Sequence, residues 1–350
     1  MSRLLVLAGK IVTPDKNVKA VDAEGISPVD SKGCCLLVED KKIAEIGPYA
    51  ELKAKYPDAE EVGSLDYWAM PGFTNGHFHT QSGYQLRYGI REEPLETWLL
   101  RCYSQLMGTK TPELPYLESL YTNLKMLLSG VTSAVDFYVG VNEDSEFIGC
   151  EGGLRAAVDS GMRIAVAPTG RDADADIVYG SNVEFLKGMA PEMAKIARER
   201  KFGFTPMDPK KFLDGWDRVY NAFHNYDDRV SVFICPDGPQ WATAELFKAI
   251  SEKAYKYGVK MQTHCMETRY QLMSALNKYG GSYINYMDSI GVLNDRLTLG
   301  HGTWLRNEDI ELCAKRGVAV SHNPGANLRL HSGIAPLRDY FSSVQSLSRV

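Results

Sequence analysis

Two histidines one residue apart, in Pro71-Gly72-Phe73-Thr74-Asn75-Gly76-His77-Phe78-His79-Thr80, open the chemically richest stretch of the chain. Side chains alternate along an extended segment, so residues i and i+2 point to one side and both imidazoles can reach one cation. Gly76 lets the backbone come close. The bland alternative is a pair of polar residues in a loop.

A second cluster, Met261-Gln262-Thr263-His264-Cys265-Met266-Glu267, adds a histidine and, three residues on, a carboxylate. That pairing suits metal-assisted hydrolysis, because a divalent ion lowers the pKa of water to about 7 and a free glutamate can carry the proton. Glu267 reads equally as an acid at a helix N-terminus, favoured by the helix dipole. A third cluster places His301 between Gly300 and Gly302, before Thr303-Trp304, and a fourth carries His322-Asn323-Pro324-Gly325. His322 reads as a substrate or supporting group, or as a turn cap. His224, in a polar helical window, and His331, in a loop, read as surface residues.

These side chains need elements that bring them together. Residues 1–70 are strand-rich: Leu4–Val12 is an apolar run, and Cys34–Glu39 and Lys42–Ile46 flank Asp40-Lys41 as a hairpin. From residue 69 strand-like runs alternate with amphipathic windows. The strand candidates are Ala69–Phe73, Ser133–Phe137, Arg163–Ala167, Val230–Cys235, Val259–Thr263, Arg296–Leu299 and Gly317–Ser321. The helical windows are Leu114–Leu128, Val183–Arg200, Ala242–Lys256 and Glu308–Lys315. Such alternation predicts a parallel sheet with crossover helices. Five of the seven histidines fall near the C-terminal ends of predicted strands, the rim on which barrel active sites are built.

Composition narrows the function classes. A net charge of −5 over 350 residues argues against a nucleic-acid face. No apolar stretch approaches the length of a membrane span, and the N-terminal apolar run is broken by Lys10, so a cytoplasmic protein without membrane attachment is expected. Seven cysteines without a CxxC pair indicate neither a disulfide framework nor a zinc knuckle.

Taken with Ser-His-Asn-Pro-Gly-Ala-Asn-Leu-Arg-Leu and Ser-Gly-Ile-Ala-Pro, the four motifs resemble the amidohydrolase superfamily. Within it they are most similar to the branch of s-triazine hydrolases and adenosine-derivative, guanine and cytosine deaminases, from about Leu4 to about Tyr340. The resemblance implies a TIM-like (β/α) barrel with a small β-sandwich part. Here the barrel would be incomplete, with about seven of eight strands. Residues 1–68 would form the N-terminal half of the sandwich, 69–340 the barrel, and 341–350 a divergent tail. It implies metal ligands at His77, His79 and His264, a proton-shuttling Glu267 and a water- or substrate-contacting His301. The cofactor would be one divalent metal, Zn²⁺ or Fe²⁺. The segment at the end of strand 4, Phe233-Ile234-Cys235-Pro236-Asp237-Gly238, lacks the lysine that holds a second metal in binuclear members.

The implied activity is hydrolysis of a C–N (or C–Cl) bond in a cyclic amidine or nitrogen heterocycle, by a deaminase- or triazine-hydrolase-type enzyme. Gln81, Trp98, His322 and Asn323 are the candidate substrate contacts, although Trp98 and Trp304 read equally as core residues. The expected partners are a small heterocycle and, in this branch, further copies of the chain. One departure stands out. The family's last metal ligand, an aspartate on strand 8, has no counterpart after Tyr340, which raises the expectation of a truncated product. The alternative function is then an inactive form with a binding or regulatory role, or none.

Overall fold

The computed structural model describes residues 3–15, 33–80, 91–99, 111, 113–140, 143–173, 190–192 and 206–343. The chain divides into two compact units, Met1–Phe73 and Thr74–Val350.

The first unit is a four-stranded sheet, in the order β3 (Lys42–Pro48), β2 (Cys34–Glu39), β1 (Arg3–Ile11), β4 (Glu60–Ala69). β1 and β2 are antiparallel, as are β2 and β3, while β4 runs parallel to β1. The hairpin expected at Asp40-Lys41 is present. Both residues have positive φ, 48° and 68°, the backbone twist that a two-residue hairpin connection requires. Helix α1 (Tyr49–Lys55) buries Leu52 in a cluster with Leu5, Cys35 and Leu37. The described residues of this unit form this one sheet, and β4 is a strand that the sequence pattern did not single out.

The second unit contains parallel strands connected largely by helices. One sheet has the order β5 (Phe73–Phe78), β6 (Val131–Tyr138), β7 (Arg163–Gly170), β8 (Val230–Val232), with β9 (Cys235–Pro236) pairing with β7 further along. The other is β10 (Met261–Cys265), β11 (Leu297–His301), β12 (Ala319–Ser321), with His264 level with Gly300 and Cys265 with His301. Backbone hydrogen bonds from Ile234 N to Lys260 O (3.3 Å) and His264 N to Asp237 O (3.1 Å) tie the β8–β9 segment to β10.

The helices are α2 (Glu113–Leu128), α3 (Glu143–Ser160), α4 (Pro209–Phe223), α5 (Ala244–Tyr257), α6 (Arg269–Tyr279), α7 (Tyr283–Ser289), α8 (Asn307–Arg316), α9 (Pro324–Arg329) and α10 (Leu337–Ser343). Their apolar faces meet the strands in one core that includes Leu154, Trp216, Phe247, Met261 and Leu299. Helix starts follow local chemistry. Asp208 caps α4 by accepting from Lys211 N at 2.9 Å with Pro209 at the first position, and Thr268 caps α6 immediately after the Glu267 segment.

Two expectations need correction, the start of the first parallel strand and the exposure of His224. Ala69–Phe73 is not one strand: Ala69 ends β4 and Phe73 begins β5, with Met70-Pro71-Gly72 between them in neither, since Pro-Gly breaks a strand. The last described helix, α10, runs to Ser343, and the rest of the expected tail lies outside the described residues. His224 is half-buried: its ring stacks on Tyr220 with centroids 4.3 Å apart and accepts from Val232 N. The helical window Val183–Arg200 lies, apart from 190–192, outside the described residues. No helix among the described residues is long and apolar enough to cross a membrane.

Candidate metal centre

The strands deliver their histidines to one place. His77 is the penultimate residue of β5, His79 follows that strand, His264 is penultimate in β10 and His301 ends β11. The ring centroids of His77 lie 4.9 Å from His79, 5.0 Å from His264 and 5.1 Å from His301. Gly300 makes room for this convergence, since a Cβ there would stand 3.2 Å from His77 Cε1. Gly76 serves a different neighbour from the one expected: a Cβ there would meet Ser321 Oγ at 3.0 Å, so its small size admits β12.

Each imidazole is held from behind at Nδ1. His77 Nδ1–H donates to Gln262 Oε1 (2.8 Å), and Gln262 Nε2 donates in turn to Gly76 O (2.9 Å), which fixes the orientation of the amide. His79 Nδ1–H donates to Phe137 O (2.6 Å) and His264 Nδ1–H to Asp237 O (3.0 Å). His301 Nδ1–H donates to Asn327 Oδ1 (2.7 Å). Oxygen acceptors at Nδ1 leave the lone pair on Nε2, the tautomer suited to metal ligation.

The inward-facing atoms show what they are arranged for. His77 Nε2 is buried without a hydrogen-bond partner. The Nε2 atoms of His79 and His264 stand 3.1 Å apart, so two lone pairs face each other. That contact repels unless a cation or a proton lies between them. The ligand atoms of His77, His79 and His264 all lie within 4.8 Å of one another, a spacing that one ion with metal–nitrogen bonds of about 2.0–2.1 Å can bridge after a small contraction. The residues present therefore fit a single divalent cation.

Burial keeps three of these rings neutral. His77 is pushed well below the ordinary imidazole range by burial and then by its histidine neighbours. His79 and His301 are each lowered to about 3, again by burial first and then by His264. His264 differs. Burial alone would lower it, but the Asp237 carboxylate, with Oδ1 3.3 Å from Nδ1, leaves it raised.

Glu267 follows β10 with its carboxyl buried and Oε1 3.5 Å from His301 Nδ1. Burial pushes its pKa up to about 7, against the pull of His264. The two loops that carry Glu267 and His301 are clasped by their backbones: Gly302 N donates to Cys265 O (3.1 Å) and Trp304 N to Met266 O (2.8 Å). Met266 and His301 both take positive φ, 52° and 76°, a strained conformation for residues with a side chain.

The remaining sequence candidates divide. His322 follows β12, is half-buried with its pKa lowered by burial, and carries a buried Nδ1 without a partner, as does Asn323 at Nδ2. Trp98 is half-buried in a helical turn over 95–99, and Trp304 donates from Nε1 to Ser332 O (2.6 Å). Gln81 lies outside the described residues. Four residues that the motif reading passed over now enter. Asp237, Gln262 and Asn327 back the imidazoles, and Glu96 accepts from Thr268 Oγ1 (2.7 Å) beside Glu267. Asp237, Gln262 and Asn327 sit inside motifs already noted, but nothing in their residue type separated them from ordinary polar positions.

Comparison with known proteins agrees with this geometry. The "Amidohydrolase family" pattern matches residues 68–345, and that of the "Imidazolonepropionase-like composite domain, bacteria" matches 35–59. The chain is 28% identical over 338 residues to the 5'-deoxyadenosine deaminase of Methanopyrus kandleri, covering 96% of this chain and 66% of that protein. It is also 28% identical over 310 residues to the 8-oxoguanine deaminase of Pseudomonas aeruginosa, covering 86% of this chain and 63% of that one. Thus the chain spans about two thirds of the length of these relatives. Among solved structures, the atrazine chlorohydrolase TrzN from Arthrobacter aurescens TC1, complexed with zinc, superposes with a TM-score of 0.78 at 19% identity, covering 97% of this chain and 70% of that one. An adenosine deaminase from Xanthomonas campestris with bound zinc gives 0.74 at 20%, covering 98% and 67%. With its pattern matched across both parallel sheets, the chain belongs to the amidohydrolase family.

Proposed function

We propose that the chain is a metal-dependent hydrolase or aminohydrolase that cleaves a C–N (or C–Cl) bond of a cyclic amidine or nitrogen heterocycle. The observation that carries this reading is the pair of Nε2 atoms 3.1 Å apart, with a third unpartnered Nε2 beside them. His77, His79 and His264 would hold one divalent ion. Zinc is the first candidate, because zinc accompanies the TrzN and Xanthomonas campestris structures. When bound, the ion supplies Lewis acidity and lowers the pKa of water to about 7.

The chain's own residues supply the proton handling. Glu267, held near neutrality, takes a proton from the attacking water and returns it to a ring nitrogen of the substrate. A pKa near the working pH is what that double role requires. His301, with its proton committed to Asn327, presents Nε2 to position the water. His322, Asn323, Trp98 and Gln81 are proposed to line the heterocycle, a flat, hydrogen-bonding ligand for which the unpartnered Nδ1 of His322 and Nδ2 of Asn323 are suited.

The parallel strands β5–β12 would form a TIM-like barrel over 69–340, with 1–68 as a separate β-rich part. A cytoplasmic location and self-association are part of the same reading. The deciding experiment is elemental analysis of purified protein, followed by turnover assays with adenosine derivatives, oxopurines and chlorotriazines. About one equivalent of zinc or iron, with release of ammonia or chloride from one of these classes, is expected. Folded protein that takes up no divalent metal refutes the reading.

A further inference from the structure

Behind His264, on its Nδ1 side, lies a row of buried ionisable residues that the proposed hydrolysis leaves unused. Asp237 follows β9, Arg171 follows β7 and Glu146 belongs to α3; all three are fully buried. Asp237 Oδ1 stands 3.3 Å from His264 Nδ1, and Asp237 Oδ2 stands 3.4 Å from Arg171 Nη1. Arg171 Nη2 donates to Gly140 O, while Glu146 accepts from Gly140 N and, at 2.8 Å, from Thr169 N.

Asp237 is also pinned through its main chain. Its N donates to Gly170 O (3.0 Å), and its O accepts from both the backbone N and Nδ1 of His264. An ion pair as deep as Asp237 with Arg171 is expensive to desolvate and persists where each charge compensates the other, whereas burial raises Glu146 to about 8. His77 and His79 are backed by neutral oxygens, from Gln262 and Phe137. Among the three ligand candidates, only His264 has a carboxylate in the described salt bridges.

We propose that Asp237 is a positioning residue for His264: its main-chain O takes Nδ1–H while its carboxylate, 3.3 Å from the same nitrogen, favours electron density on the ring, so that Nε2 is aimed at the cation and this imidazole is the strongest donor of the three, with Arg171 keeping the carboxylate in place. The proposal rests on the metal-centre reading above. A carboxylate behind a ligating histidine fixes its tautomer and raises its basicity, and loss of such a partner costs 10- to 100-fold in metal affinity. If the row served only to stabilise the fold, its removal would lower the melting temperature and leave zinc affinity alone.

The test is zinc competition against a chromophoric chelator, using the full chain stripped of metal. Asp237→Asn should bind Zn²⁺ about 10- to 100-fold more weakly than wild type. Its metal-free circular dichroism should match wild type. Asp237→Asn leaves the Arg171 cation without its carboxylate, so the double variant Asp237→Asn, Arg171→Gln is measured alongside it and should show the same loss. Wild-type zinc affinity in either folded variant overturns the proposal. Failure of both variants to fold assigns the row to stability and also overturns it. If the wild-type chain itself binds no zinc, the metal-centre reading falls, an outcome distinct from the loss of Asp237's role alone.

Discussion

The rim of β10 and the rims of β5 and β11 carry the same side chain at the same depth, yet they hold it differently. His77, His79 and His301 are pressed toward the neutral form by burial and by their histidine neighbours. His264 is equally enclosed and is raised, because a carboxylate stands behind it. At His264 the charged neighbours together outweigh burial.

The contrast can be broken by experiment, most severely at the metal. His264→Ala should abolish stoichiometric metal, whereas His301→Ala should keep close to one equivalent while losing turnover; elemental analysis of the two proteins reads the difference. Equal retention in both would erase the distinction between ligand and positioning group.

Glu267→Gln should lower kcat/KM by about 10²- to 10⁴-fold with metal content unchanged. In the wild type, the carboxyl raised to about 7 must be ionised to accept a proton, so activity should fall as pH drops through about 7. The Gln variant should lack that limb of the pH–rate profile. An unchanged limb would assign it to another group.

Asn327→Leu removes the acceptor that fixes His301. It should lower kcat about tenfold, on the scale of one buried hydrogen bond, with zinc affinity unchanged. Gln262→Leu replaces a neutral backing oxygen, and should weaken zinc binding by about fivefold, less than the loss expected behind His264. Smallest of all, Arg316→Ala breaks an exposed pair with Asp288, and thermal unfolding should shift by less than about 1 kcal/mol.

Much of this site was legible in the chain itself. The i, i+2 spacing of His77 and His79, and the placement of His264 and His301 at strand ends, follow from strand periodicity and the alternation of apolar runs. Asp237, Arg171 and Glu146 were not legible, because their partners lie 27 to 66 residues away in sequence or are backbone groups met only after folding. A carboxylate next to proline reads as a turn until a distant histidine closes on it. β4 escapes the sequence pattern for a different reason, since its mixed polar sequence lacks an apolar run, and the misplaced start of β5 comes from reading a strand through Pro71-Gly72, a turn signal that separates the two.

The backbone clasp between the loops after β10 and β11 carries a consequence for how such a site can diversify. With Gly302 tied to Cys265 and Trp304 to Met266, the two segments are locked in step. Inserting or deleting a residue in either would slip both, and would carry Glu267 away from His301. If the proposed activity holds, variation in what the site accepts must enter through other connections between strands and helices, where length can change without disturbing this pair.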